Sequence, residues 1–141
     1  MMQAAEISRT GLDVEWQRMQ VIAQNLANMN SARVGEAGYQ AMRLLSGPKV
    51  GFSQLLSGGS LQAMTGVAVL NVMPTNGGSR RVYEPQSPAA DSDGYVSYPA
   101  VDHAAEMALM VKTARAYEAN LTAMSVAHQM YARALDLGKR T

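Results

Sequence analysis

From Met107 to Leu135 the chain places apolar or aromatic side chains at alternating steps of three and four. The series is Met107, Met110, Ala114, Tyr117, Leu121, Met124, His128, Tyr131 and Leu135, with His128 its one polar member. Only a helix of 3.6 residues per turn gathers such a series on one side, and the pattern is that of a and d positions repeated over four heptads. A second series, Leu109, Ala116, Ala123, Met130 and Leu137, recurs every seven residues on another side of the same helix. Asp102 is expected to cap its start, with Glu106 near the first turn, and Gly138 followed by Lys139 and Arg140 to mark its end. A helix of about 35 residues is roughly 50 Å long. A chain of 141 residues can cover one side of such a rod with its own partner helix. The second side needs another explanation.

The partner is predicted near the N-terminus. Leu12, Met19, Ile22, Leu26 and Met29 fall on one helical face, with Trp16 and Ala23 beside it, while Ile7, Val14 and Val21 form a second stripe on roughly the opposite side. Residues 3–30 and 102–137 contain no proline, and Gly11 is their only glycine. The five prolines and most of the twelve glycines lie between or in the flanks. The middle is therefore expected to be turn-rich and β-type. GVAVLNVM (66–73), PTNGG (74–78) and SRRVYEP (79–85) read as a hairpin, YQAMRLL (39–45) and GYVSYP (94–99) as further strands, LSGGS (56–60) and QSPAADSDG (86–94) as loops. The expected fold is α+β: an N-terminal helix over 1–31, a small β-rich central module over 32–101 and a C-terminal helix over 102–141. The two helices are expected to pair as an antiparallel coiled-coil hairpin.

Little in the chain points to chemistry. There is no cysteine, which excludes disulfides and thiolate sites, and the net charge is only +1. No basic cluster suggests nucleic acid or an anionic membrane; Arg80-Arg81 reads as a solvated strand end. His103 and Glu106 could offer two metal ligands but nothing near them offers a third, and DSDG (91–94) lacks the glutamate a calcium loop needs at its twelfth position. The Gly58-Gly59 and Gly77-Gly78 pairs lack the lysine of a phosphate loop, and no nucleophile-elbow signature is present. No catalytic residue, cofactor site or metal site is expected. The start, MMQAAEISRTGL, has no basic region followed by an apolar stretch, so no cleaved signal is expected, nor any membrane-inserted span.

If the helices pair, Leu12, Met19, Ile22, Leu26, Met110, Tyr117, Leu121, Met124, Tyr131 and Leu135 are expected in the intrachain seam. Ile7, Val14, Val21, Leu109, Met130 and Leu137 would then remain exposed and serve as subunit contacts, unless the middle folds back over them. Spacing alone thus predicts lateral assembly.

The residues themselves add a resemblance. ISRTGLDVEWQRMQVIAQNLANMNS resembles the first helix of the flagellar axial rod and hook proteins, with their closing element at Ala27, Asn28, Met29, Asn30 and Ser31. EMALMVKTARAYEANLTAMSVAHQMYARALDLG is similar to their last helix, including Arg115, Tyr117, Ala119 and Asn120. The short length and GYVSYPAVD (94–102) resemble the proximal rod branch, although Glu84-Pro85 and Ala100 depart from its pattern. The resemblance implies a structural subunit of the rod that crosses the periplasm in the basal body. It implies export by the flagellar type III apparatus without a cleaved signal, and assembly with other rod proteins and copies of itself into a torque-transmitting tube around the export channel. The rival expectation is a cytosolic coiled-coil adaptor or export chaperone.

Overall fold

A computed structural model describes residues 2–33, 38–49 and 66–138. Two long helices, α1 (Met2–Asn28) and α2 (His103–Gly138), enclose in sequence the four strands β1 (Met42–Pro48), β2 (Val67–Pro74), β3 (Ser79–Tyr83) and β4 (Tyr95–Pro99). The fold is α+β. The 56–60 stretch, expected as a loop, and Lys139 and Arg140, expected beyond the last helix, lie outside the described residues.

The start of α2 and the end of α1 follow from local chemistry. The Asp102 side chain accepts a hydrogen bond from the Ala105 N–H at 3.1 Å, and its carbonyl accepts the first helical bond from Glu106 N–H at 2.9 Å. This satisfies donors that a helix start leaves free. At the end of α1, the Ser31 N–H donates to the Asn28 carbonyl at 3.0 Å, and the Asn28 amide turns back to the Gln24 carbonyl. No described helix is long and apolar enough to cross a membrane.

The strands form two separate antiparallel pairs, β1–β2 and β3–β4. The expected hairpin across PTNGG is not formed: β2 pairs back onto β1, β3 pairs forward onto β4, and residues 75–78 carry the chain between the sheets. A tight two-residue type I′ turn, the kind Asn-Gly favours, requires positive φ at both centre positions, and within 74–78 Gly78 alone has it, at +67°. The β3–β4 turn is instead built on Asp91. One carboxylate oxygen accepts the N–H groups of Asp93 and Tyr95 at 3.0 and 2.9 Å, and the other pairs with Arg81. The Tyr95 backbone N–H, foremost, holds the Asp91 carboxyl below its ordinary pKa, with Arg81 and the Asp93 N–H adding to the effect.

Helix α1 is the hub. It packs on α2 along one side and on β1–β2 along the other. Ser8, Gly11, Leu12, Val14, Ile22 and Asn25 are buried, which at 100° per residue is a covered arc about 160° wide. Towards α2, Gly11 meets Asn120 and Asn25 meets Glu106, so residue numbers rise on one helix as they fall on the other. Towards the sheet, Thr10 Oγ1 accepts from Val67 N–H, Arg18 donates to Ser46 Oγ at 2.7 Å, and Asn25 binds Met42. Val14 lies on that sheet-facing side between Thr10 and Arg18 and is 3% exposed. The middle of the chain therefore folds back over α1, and the stripe expected to remain open there is largely covered.

Candidate functional site

Where α1, α2 and β1 meet, the buried groups are polar. Asn25 is 0% exposed and uses all four of its hydrogen-bonding positions. Its Nδ2 donates to the Met42 carbonyl at 2.9 Å and to Glu106 Oε2 at 3.2 Å. Its Oδ1 accepts from the Met42 N–H at 2.9 Å and from the Tyr39 hydroxyl at 2.7 Å. Glu106, 2% exposed, also receives the Arg43 guanidinium at 2.5 Å. Burial, and after it the Glu106 charge, raise the Tyr39 pKa, so the hydroxyl stays a donor to Asn25. Arg43 Nη1 is buried there without a hydrogen-bond partner, but Asn25 is met in full, and the shared bonds tie the three elements in a single register. We call it the clasp.

Beside the clasp, Val21 and Ile22 of α1, Leu44 of β1 and Leu109 of α2 line a small cavity of about 230 Å³ with Arg18 and Arg43. Arg18 Nε lies 3.2 Å from Glu15 Oε2, near enough for an ion pair but not aligned as a hydrogen bond.

On α2 the covered line is Glu106, Thr113 and Asn120, spaced by seven. Glu106 and Thr113 are both 2% exposed, and Asn120 donates to the Ala116 carbonyl at 2.9 Å while lying against Gly11. A Cβ built on Gly11 would stand 2.7 Å from Asn120 Oδ1, closer than atoms pack. Gly11, the lone glycine of α1, is thus a point of close approach, which offsets its helix cost of about 1 kcal/mol.

The seam residues expected from spacing divide along the chain. Leu12 and Ile22 are buried, and Met19, Leu26, Met110, Tyr117 and Met124 are half-buried. Leu121, Tyr131 and Leu135 are exposed. Of the expected subunit contacts, Ile7, Met130 and Leu137 are exposed, Leu137 by 69%, whereas Val21 and Leu109 are half-buried around the small cavity and Val14 is inside the chain. Of the motif positions, Asn28, Ser31, Tyr117 and Asn120 are half-buried, and Ala27, Asn30, Arg115 and Ala119 face solvent. His128, a seam position by spacing, is exposed, and so is His103, while its neighbour Glu106 belongs to the clasp.

Asn25 and Glu106 were missed by periodicity. The available signal was positional: Asn25 sits between Ile22 and Leu26, and Glu106 falls seven residues before Thr113 and fourteen before Asn120.

Beyond Leu121, α2 is an arm with no buried residue, and Val126, Met130, Tyr131, Leu135 and Leu137 are exposed on it. Two long helices locked at one end by a buried polar clasp, with an apolar arm at the other, define a structural building block. Residues 92–137 match the family model described as flagellar basal body rod FlgEFG protein C-terminal. The flagellar basal-body rod protein FlgC of Bacillus subtilis is 34% identical over 142 residues, covering 94% of this chain and 95% of its own. FlgC of Salmonella typhimurium is 33% identical, with 95% of each chain covered, and FlgC of Borreliella burgdorferi 30% identical, with 93% of each. The chain belongs to the FlgC family of flagellar basal-body rod proteins. It is a structural rod subunit of the basal body and not an enzyme. The adaptor or chaperone reading has no support among these relatives.

Proposed function

We propose that this subunit is built into the proximal rod, with α1 and α2 packed as an antiparallel coiled-coil hairpin and the arm of α2 joined to neighbouring rod subunits, including copies of itself. The observation that carries this reading is the row of exposed apolar side chains from Val126 to Leu137. A soluble surface seldom shows so long an apolar row unless a partner covers it. Leu121, Met130, Tyr131, Leu135 and Leu137, with Ile7 of α1, are the subunit contacts. Leu12, Met19, Ile22, Leu26, Met110, Tyr117 and Met124 hold the hairpin itself. In this arrangement residues 1–31 and 102–141 form one axial core, and 32–101 form the module clamped to it. The paired helices line the export channel and, packed side by side, stiffen the tube that transmits torque. The subunit reaches its place through the flagellar type III export apparatus without a cleaved signal.

Cryo-electron microscopy of purified basal bodies tests this directly. Density for this chain in the proximal rod, with residues 121–137 covered by neighbours, is the expected result. A rod in which these residues face an open channel would overturn the contact assignment, and a basal body lacking the chain would overturn the placement.

A further inference from the structure

The β3–β4 ribbon differs from the rest of the molecule in how it is attached. Inside, it is rigid. Val96 is 0% exposed and pairs with Val82, the Tyr83 and Tyr95 rings meet edge to face at 5.2 Å, and Asp91 ties Arg81 to the turn. Outside, β3 and β4 pack on each other but not extensively on a helix or on β1–β2. The ribbon hangs from two adjacent connectors, Thr75–Gly78 and Ala100–Asp102, drawn together by a long hydrogen bond of 3.4 Å from Ala100 N–H to the Gly78 carbonyl. Gly78, at a φ of +67°, sits in the left-handed region that glycine adopts without strain, and a Cβ placed on it would meet nothing within 4 Å. The Thr75 N–H and hydroxyl both bind the Ala41 carbonyl, which fixes the first connector to the clasped side. A cavity of about 280 Å³ lies where the bodies meet, lined by Arg33, Tyr39, Pro74, Thr75, Tyr98 and Pro99. Joints between fixed bodies are filled with side chains at the density of a core. This one is open, and the Arg33 N–H to Ser97 carbonyl bond, at 2.7 Å, crosses it as a latch.

We infer that β3–β4 is a hinged arm that turns as one body about Thr75–Gly78 and Ala100–Asp102, with the Arg33–Ser97 bond as its latch. A stiff unit on a few terminal residues with an unfilled joint is the arrangement that converts small backbone rotations into a swing. Its use rests on the rod reading: a subunit whose helices are fixed in a tube can still bring the ribbon to a neighbour at the angle that neighbour presents.

The chain has no cysteine, so labels can be placed cleanly. Spin labels at Gln20→Cys and Gln86→Cys span the joint, and labels at Gln20→Cys and Lys112→Cys span the two helices as a control. In the full chain in solution, the first pair is expected to give a broadened or split distance distribution and the control a narrow one. Equal narrow widths, or equal broad widths, would overturn the hinge. In basal bodies the first distribution is expected to narrow, and an unchanged breadth there would overturn the neighbour-fitting role. Absence of the chain from basal bodies would instead sink the rod placement, leaving the solution result to decide the hinge.

Discussion

The two halves of α2 carry the same heptad pattern and live in different surroundings. Before Leu121, the helix lies against α1, and the line it covers is polar: buried Glu106 and Thr113 and half-buried Asn120. After it, the helix has no buried residue, and its exposed side chains include Val126, Met130, Tyr131, Leu135 and Leu137. Hydrophobicity sorts neither half into core and surface as it would in a monomer. The buried polar groups specify register, because a one-residue slip would orphan several of them. Under the proposed rod placement, the exposed apolar groups are contacts for a second chain. One end of the helix is then finished within the subunit and the other by assembly.

The contrast breaks most sharply at Asn25. Asn25→Ala removes four hydrogen bonds and leaves Tyr39, Met42 and Glu106 with unmet groups, an expected loss of about 3–4 kcal/mol. Urea unfolding of the free subunit measures it. A loss within about 0.5 kcal/mol, the range of an ordinary surface change, would show that water replaces the clasp freely. Glu106→Gln keeps the shape but weakens the pair with half-exposed Arg43, so a smaller loss of about 1–2 kcal/mol is expected. In a double-mutant cycle with Asn25→Ala the two losses should not add, since both empty the same network.

Next in size is the close approach at the opposite end of the seam. Gly11→Ala gains helix propensity but drives its new Cβ into Asn120, whose amide is held by the Ala116 carbonyl. A net loss of about 1 kcal/mol is expected. With Asn120→Ala in place, Gly11→Ala should instead become neutral or stabilising. If Gly11→Ala alone stabilises the subunit, Asn120 swings aside at no cost and the contact does not set the helix spacing.

Acid probes a site away from the helices. Asp91 has a lowered pKa through its hydrogen bond from Tyr95 N–H. Its contribution to the ribbon turn is complete above the unfolded carboxylate value of about 3.9 and is lost as pH falls through the lower folded value. Protection of the Tyr95 amide against exchange, relative to its intrinsic rate at each pH, should fall over that window, and Asp91→Asn should remove the change. Unaltered protection would mean that the turn holds without the charge.

Both long helices, their lengths and the Asp102 cap were legible in the sequence, because an uninterrupted step of three and four has one structural meaning. The strands near 39–45 and 94–99 were legible too, but their pairing was not. Strand propensity names segments, whereas partners are chosen by what the sheet can cover, here the Thr10, Val14 and Arg18 side of α1. The clasp was illegible for a related reason. Periodicity assigns asparagine and glutamate to solvent, and only the three-way junction shows that Asn25 and Glu106 satisfy each other. Gly11 stood out as the lone glycine of its helix, yet the partner that explains it lies more than a hundred residues away.

The smallest expected effect on folding belongs to the arm, and it sharpens the comparison best. Leu135 and Leu137 are exposed by 49% and 69%, so Leu135→Ser with Leu137→Ser removes little that the free subunit buries. Its unfolding free energy should change by no more than about 0.5 kcal/mol. In the assembled rod the same side chains would be covered, and each lost leucine would then forfeit on the order of 1.5–3 kcal/mol of contact per subunit. Swimming and incorporation into basal bodies should therefore fall severely while the soluble subunit stays folded. Asn25→Ala would show the reverse order, with instability first and poor assembly as its consequence. Should the double serine variant swim normally, the arm is a free surface, and the division between a finished end and an unfinished one fails. Should it unfold in solution, the arm is packed on its own chain, and the division fails from the other side.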